Sequence, residues 1–149
     1  NNDLNNWWGE KYRPGSNNFQ QESFGQLSNQ GYKENYSLRI LPMSGYFIFA
    51  NKQIDVSDVD EISVEFYYKF ECERSGEGDF AFNISYNKSD YSSNTSHWGD
   101  RGTQPWTLYR KGPIDVSDID SLILRWRGLS KGINSLGQCD YFIDEIKVY

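Results

Sequence analysis

At 149 residues the chain suits one domain with its own core, and residues 1–149 are read as a single unit. Fifteen basic and 21 acidic residues give a net charge of −6, which argues against nucleic acid and anionic membranes, and no apolar run approaches the length of a spanning helix. Aromatics make up 17% of the chain, with 5 Trp, 11 Tyr and 9 Phe, more ring surface than one small core hides, and the surplus predicts a surface where rings stack on a ligand.

Asn1-Asn2-Asp3 reads as the start of an excised or processed domain without a signal peptide. Trp7 and Trp8 follow. Neighbours in an extended segment point opposite ways, so one ring faces solvent unless both pack as an N-terminal plug. Short alternating runs then predict strands over 19–27, 36–41, 46–50, 61–71, 79–87, 106–111, 121–129 and 141–149. Turn formers fill 74–78, 87–102 and 130–138, and the second of these is long for a hairpin connection. No helical period interrupts the series. The pattern is that of an all-β sandwich of two antiparallel sheets.

One motif recurs. Ile54-Asp55-Val56-Ser57-Asp58-Val59-Asp60 returns as Ile114-Asp115-Val116-Ser117-Asp118-Ile119-Asp120, and a strand follows each copy. Alternation puts Ile62, Val64, Phe66 and Tyr68 on one face after the first copy, and Leu122, Leu124 and Trp126 after the second. These residues should form the core. The opposite faces carry Ser63, Glu65, Tyr67 and Lys69, and Ile123, Arg125 and Arg127.

A strand, then Ile-Asp-Val-Ser, then a hydrophobic strand resembles galactose-binding-like β-jelly rolls. So do Glu34–Ile40, Pro105–Tyr109 and the closing Tyr141–Tyr149, in that order along the chain. The resemblance is to non-catalytic carbohydrate-binding modules appended to plant cell-wall-degrading enzymes of anaerobic bacteria. It implies a jelly-roll sandwich, a polysaccharide ligand, a parent multi-modular enzyme, and an extracellular place, secreted and cell-surface or cellulosome-associated. It also implies a structural calcium held by oxygen ligands, with Asp144 and the neighbouring Glu145 at the final-strand position and Asp3 and Glu22 as partners. The expected ligands are β-1,4-glucan, mixed-linkage glucan or xyloglucan chains.

Sugars present flat C–H faces to rings and hydroxyls to amides, guanidinium groups and carboxylates. Trp98 leads the candidates, because it lies in a polar loop, Asn94–Gly102, with no apolar neighbours. Tyr91 shares that loop; Trp7, Trp8, Tyr46 and Tyr67 are further rings. Arg125 and Arg127 stand near Tyr67 if the repeated strands share a sheet, and Asn83 and Ser85 alternate with Phe82 and Ile84 to complete a polar and aromatic face. Trp106, alternating with Leu108, is assigned to the core, and so is Trp126.

Two other functional classes fit. A glycoside hydrolase or lyase would use paired carboxylates, for which Glu65, Glu71 and Asp79 are available on strands. A cell-surface adhesion or assembly domain would bind protein instead. The single His97 has no nucleophile elbow around it. Cys72 and Cys139 fall near strand ends, where a disulfide and two buried thiols fit equally well. Asn-x-Ser/Thr triplets begin at Asn35, Asn83, Asn87 and Asn94, and matter only in a glycosylating host.

Overall fold

The computed structural model describes residues 7–12, 19–21, 26–28, 31–33, 37–40, 46–72, 78–86, 95–98, 103–130 and 139–149. Among them are the strands β1 (Trp7–Tyr12), β2 (Phe19–Gln21), β3 (Gln26–Ser28), β4 (Ser37–Ile40), β5 (Phe47–Asp55) and β6 (Glu61–Cys72). The series continues with β7 (Gly78–Ser85), β8 (Thr95–His97), β9 (Gln104–Asp115), β10 (Ser121–Ser130) and β11 (Cys139–Val148). They form a six-stranded sheet, β2-β1-β5-β10-β7-β8, and a five-stranded sheet, β3-β4-β11-β6-β9. Every pairing is antiparallel. The expected two-sheet sandwich is observed.

Three elements differ from expectation. Trp7–Tyr12, absent from the expected strands, is a strand paired with β5. The run 19–27 contains two strands that belong to different sheets. A short strand, β8, lies inside the segment read as a loop, because Ala81, Phe82 and Asn83 offer it a free edge.

The core follows the predicted alternation. Ile62, Val64, Phe66 and Tyr68 from β6 meet Leu122, Leu124 and Trp126 from β10, all buried. These strands lie in opposite sheets, so the supposition that the repeated strands share a sheet is corrected. Phe66 and Trp126, equivalent through the repeat, touch across the core edge to face at 5.5 Å.

The repeat itself is the crossover between sheets. One copy carries β5 into β6; the other carries β9 back into β10. In each, the aspartate Oδ1 accepts the serine N–H at 2.9 Å and the serine hydroxyl at 2.6 Å. The two turns then clasp each other. The Val56 N–H donates to the Asp120 carbonyl at 2.9 Å, and the Val116 N–H donates to the Asp60 carbonyl at 2.8 Å. Such reciprocal bonds are those of a local two-fold axis, with Val56 and Val116 buried beside it.

Cys72 and Cys139 face each other across β6 and β11 and are joined as a disulfide. At Gly128 an added Cβ would lie 2.6 Å from the Tyr141 ring. The bare backbone lets that ring cross the core, where its hydroxyl accepts the Asp79 N–H at 2.8 Å.

Candidate functional site

Each sheet has an outer face, and the two are built differently. On the six-stranded sheet, register places Trp8, Asn51, Arg125, Asn83 and Thr95 in one row across five strands. Arg125, Arg127 and Asn83 therefore do share a face, as expected. Most of this row is closed: Asn51 and Arg125 are 0% exposed and Asn83 is 6% exposed. A buried guanidinium needs partners. Glu10 supplies the hub, its Oε1 accepting from Trp8 Nε1 at 3.0 Å, Asn51 Nδ2 at 2.7 Å and Arg125 Nη1 at 3.3 Å. Arg125 also donates to Asn51 Oδ1 at 3.4 Å. This is an internal polar tie between β1, β5 and β10, so Arg125 and Asn83 are corrected from surface contacts to buried groups. Asn83 is equally closed as a glycan acceptor. Arg127 lies over Phe47 at 4.4 Å and 3.9 Å from Asp79; burial pulls its pKa down while Asp79 opposes that.

The five-stranded sheet shows another face. Three rows cross β11, β6 and β9. Lys147–Glu65–Arg110 comes first, then Asp144–Tyr67–Leu108; Phe142–Lys69 follows with Trp106 alongside. Tyr67, Trp106 and Leu108 are half-buried here. Tyr32 lies on Tyr67 with ring centres 3.7 Å apart, and its edge meets Trp106 at 6.1 Å. The contact with the Tyr67 hydroxyl, more than burial, raises the Tyr32 pKa. Lys69 Nζ sits 5.6 Å from the Trp106 ring and 4.8 Å from Phe142, and pairs with Glu71 at 2.8 Å. Arg39 and Asp140, bonded at 2.6 Å, close the far end. Rings with polar groups at their margins are the combination a sugar chain requires.

Several expected rings are elsewhere. The Trp98 N–H donates to the Phe80 carbonyl at 3.0 Å, which puts its ring on Phe80's inward side. It packs half-buried against Phe80, Tyr68 and Tyr109 at 5.1–5.2 Å, core neighbours that its polar loop did not suggest. Trp7 stacks on buried Trp126 at 5.3 Å with Lys52 above it. Tyr46 packs against the core beneath Lys11. Trp8 faces outward, its indole N–H committed to Glu10. Tyr67 is outward as read, but on the opposite side of the sandwich from Arg125 and Arg127. Tyr91 lies outside the described residues.

Trp106, assigned to the core, is instead on the outer face, and Tyr109 takes the inward place. Its alternation with Leu108 was read correctly. The phase was not, because Arg110 and Lys111 put a cation on each side of β9 and gave no vote between them. Tyr32 had no signal at all, since it reaches the sheet from outside any strand.

For calcium, Asp3 and Glu22 lie outside the described residues, and Asp144 accepts the Tyr32 N–H at 2.7 Å and the Glu145 N–H at 2.8 Å. Among the described residues no three His, Cys, Asp or Glu converge. Calcium takes about six to eight oxygens, and of the expected ligands only Asp144 and Glu145 fall among the described residues. Of the carboxylates considered for catalysis, Asp79 is on the outer face opposite to that of Glu65 and Glu71. Glu65 and Glu71 lie six positions apart on one strand, about 20 Å, beyond the about 5–10 Å of glycosidase pairs.

No protein-family model matches the sequence, and no curated protein matches it. Solved structures do match. TmCBM61 in complex with β-1,4-galactotriose superposes with a TM-score of 0.57 at 14% identity, covering 81% of this chain and 74% of that one. A structure described as explaining the promiscuous specificity of carbohydrate-binding modules from the β-sandwich superfamily gives 0.58 at 10% identity, over 97% of this chain and 54% of that one. The K3 cleaved adhesin domain of Lys-gingipain from Porphyromonas gingivalis W83 gives 0.56 at 10% identity, over 98% and 95%. The chain therefore has the fold of β-sandwich carbohydrate-binding modules, a fold it also shares with an adhesin domain.

Proposed function

We propose that this domain binds polysaccharide along the outer face of the five-stranded sheet and does not cleave it. One observation carries the reading: Tyr67, Trp106 and Leu108 share that face and stay half-buried, with Tyr32 bridging the two rings. The fold it shares with carbohydrate-binding modules supports the same conclusion. The ligands are β-linked hexose chains, namely β-1,4-glucan, mixed-linkage glucan or xyloglucan. β-1,4-galactan belongs in the same panel because TmCBM61 is seen with galactotriose. Binding holds an attached enzyme near its substrate and raises effective concentration without altering the chemistry. The Cys72–Cys139 disulfide suits the oxidising, extracellular setting that such a role requires.

Affinity gels containing each glycan test this directly. Wild-type protein is retarded in at least one gel, and Tyr67→Ala or Trp106→Ala lessens that retardation while the fold persists. Free migration of wild-type protein in every gel overturns the proposal. Release of reducing sugar from a retarding glycan would overturn its non-catalytic half. The adhesin likeness, extending over 95% of the K3 domain, favours a second reading in which the same face binds protein. That reading gains if no glycan retards the domain.

A further inference from the structure

The first row of the five-stranded face, Lys147–Glu65–Arg110, opens into a cavity of about 380 Å³ that the sugar platform does not use. Glu65, Arg110, Lys111, Gly112 and Tyr149 line it, over a floor of Ser63 and buried Val64. Its size falls within the about 300–1,000 Å³ of small-molecule pockets. Gly112 brings its backbone tight against Ser63. Its φ is +142°, and an added Cβ would stand 2.4 Å from Ser63 Oγ.

The charges are unusual for this chain. Arg110 and Lys111 line the cavity in a protein of net charge −6, Glu65 is the one acidic side chain in that lining, and Lys147 stands between Glu65 and Glu145. Glu65 is already satisfied. Its Oε2 accepts Arg110 Nε at 2.8 Å, its Oε1 lies 3.8 Å from Lys147 Nζ, and the Tyr149 hydroxyl also bonds to it. The Arg110 bond, ahead of the tyrosine's, holds the Glu65 carboxyl below its ordinary pKa, so it stays ionised and keeps Arg110 in place. Arg110 is thus held to Glu65 through Nε, on a side chain 71% exposed that lines the cavity, and its Nη groups take no part in that bond. A guanidinium presented this way is a fork for a carboxylate.

We propose that this cavity is a subsite for the carboxylate of a uronic acid, carried on the glycan that lies along the neighbouring Tyr67–Leu108 row. The two rows are two residues apart on each strand, about 7 Å, so one chain running along β6 reaches both. The inference rests on the platform proposed above and names the ligand class more narrowly: an acidic or acid-decorated polysaccharide.

The test titrates the isotope-labelled domain with glucuronate and galacturonate, and in parallel with glucose and galactose, while amide signals are followed. Uronates should shift Ser63, Glu65, Gly112 and Tyr149, and the neutral sugars should leave those four unmoved. Affinity should fall about tenfold in about 0.5 M NaCl, since the fork is exposed to screening. Arg110→Gln should abolish the shifts. Arg110→Lys, which keeps a cation beside Glu65 but loses the fork, should weaken them by about tenfold. Both variants should still be retarded like wild type in gels of a neutral glycan. Equal shifts from neutral sugars, or none from uronates, overturn the subsite even if neutral glycans retard the protein. Uronate shifts in a protein that no neutral glycan retards overturn the platform and keep the cavity.

Discussion

The two outer faces obey the same alternation and end in opposite states. On the six-stranded sheet a guanidinium, two amides and a hydroxyl are buried alongside Phe49 and Ile123. On the five-stranded sheet Tyr67, Trp106 and Leu108 remain half-exposed. Residue type alone would have reversed the assignment: arginine out, tryptophan in. Burial of an outer face depends on what covers it, and covering is a tertiary fact. Arg125 tolerates burial with Glu10 and Asn51 both accepting from its Nη1. The rings tolerate exposure because their neighbours Lys69 and Tyr32 cover part of each surface.

The sharpest way to strain this contrast is to weaken each sheet separately. Replacing both Cys72 and Cys139 by Ser opens a loop spanning 67 positions and should destabilise the domain by about 4 kcal/mol on loop-closure grounds. Denaturant midpoints with unchanged slope would register it, and a fall under about 1 kcal/mol would show that β6 and β11 hold without the bond. In the other sheet, Arg125→Leu leaves the Glu10 carboxylate without its buried cation and should cost about 3 kcal/mol. Adding Glu10→Gln should recover part of that loss. No recovery would mean that the cost lies in packing, not charge.

A smaller effect separates stability from binding. Trp98→Ala should lower stability by about 2 kcal/mol, since its ring fills a half-buried place among Phe80, Tyr68 and Tyr109. Glycan retardation should be unchanged in the variant. Tyr67→Ala and Trp106→Ala should behave the other way, losing about tenfold in affinity, or about 1.4 kcal/mol. If Trp98→Ala abolished retardation in a folded protein, the binding face would have to be moved to the β8 edge.

How much of this was legible in the sequence follows from which forces are local. Core strands were readable because Val64, Phe66, Leu124 and Trp126 hold the inward positions of their strands, and a one-residue slip would turn them all to the outer faces. The repeat was readable as words but not as geometry. Nothing in Ile-Asp-Val-Ser-Asp says that the chain changes sheet there, and the pairing of Val56 with Asp120 spans 64 positions. The core contacts of Trp98 were not readable because its sequence neighbours are polar, whereas its spatial neighbours come from β6, β7 and β9. The aromatic residues divide between core and surface even so. Trp7, Trp98 and Trp126 pack against or within the core, and Trp106 with Tyr67 supplies the surface rings.

The clasped turns offer the finest comparison, because both copies can be broken alike. Hydrogen bonds from Ser57 and Ser117, first from the hydroxyl and then from the N–H, lower the pKa of Asp55 and Asp115 in the folded state. A carboxyl depressed by folding stabilises the fold above its unfolded pKa, about 3.9, and that contribution disappears as pH falls through the lower folded value. Asp55→Asn with Asp115→Asn keeps the acceptor oxygens and removes the charges. Melting curves should therefore show wild type more stable than the double variant from pH 7 down to about pH 4, with the gap closing toward pH 2. Each single variant should show a similar shift, given matching distances of 2.6 and 2.9 Å in the two turns. Their sum should differ from the double variant, because the Val56 and Val116 amides tie one turn to the other. A gap that persists unchanged into acid would assign the effect to the asparagine itself. Strictly additive singles would mean that the two turns, though bonded, hold their sheets independently.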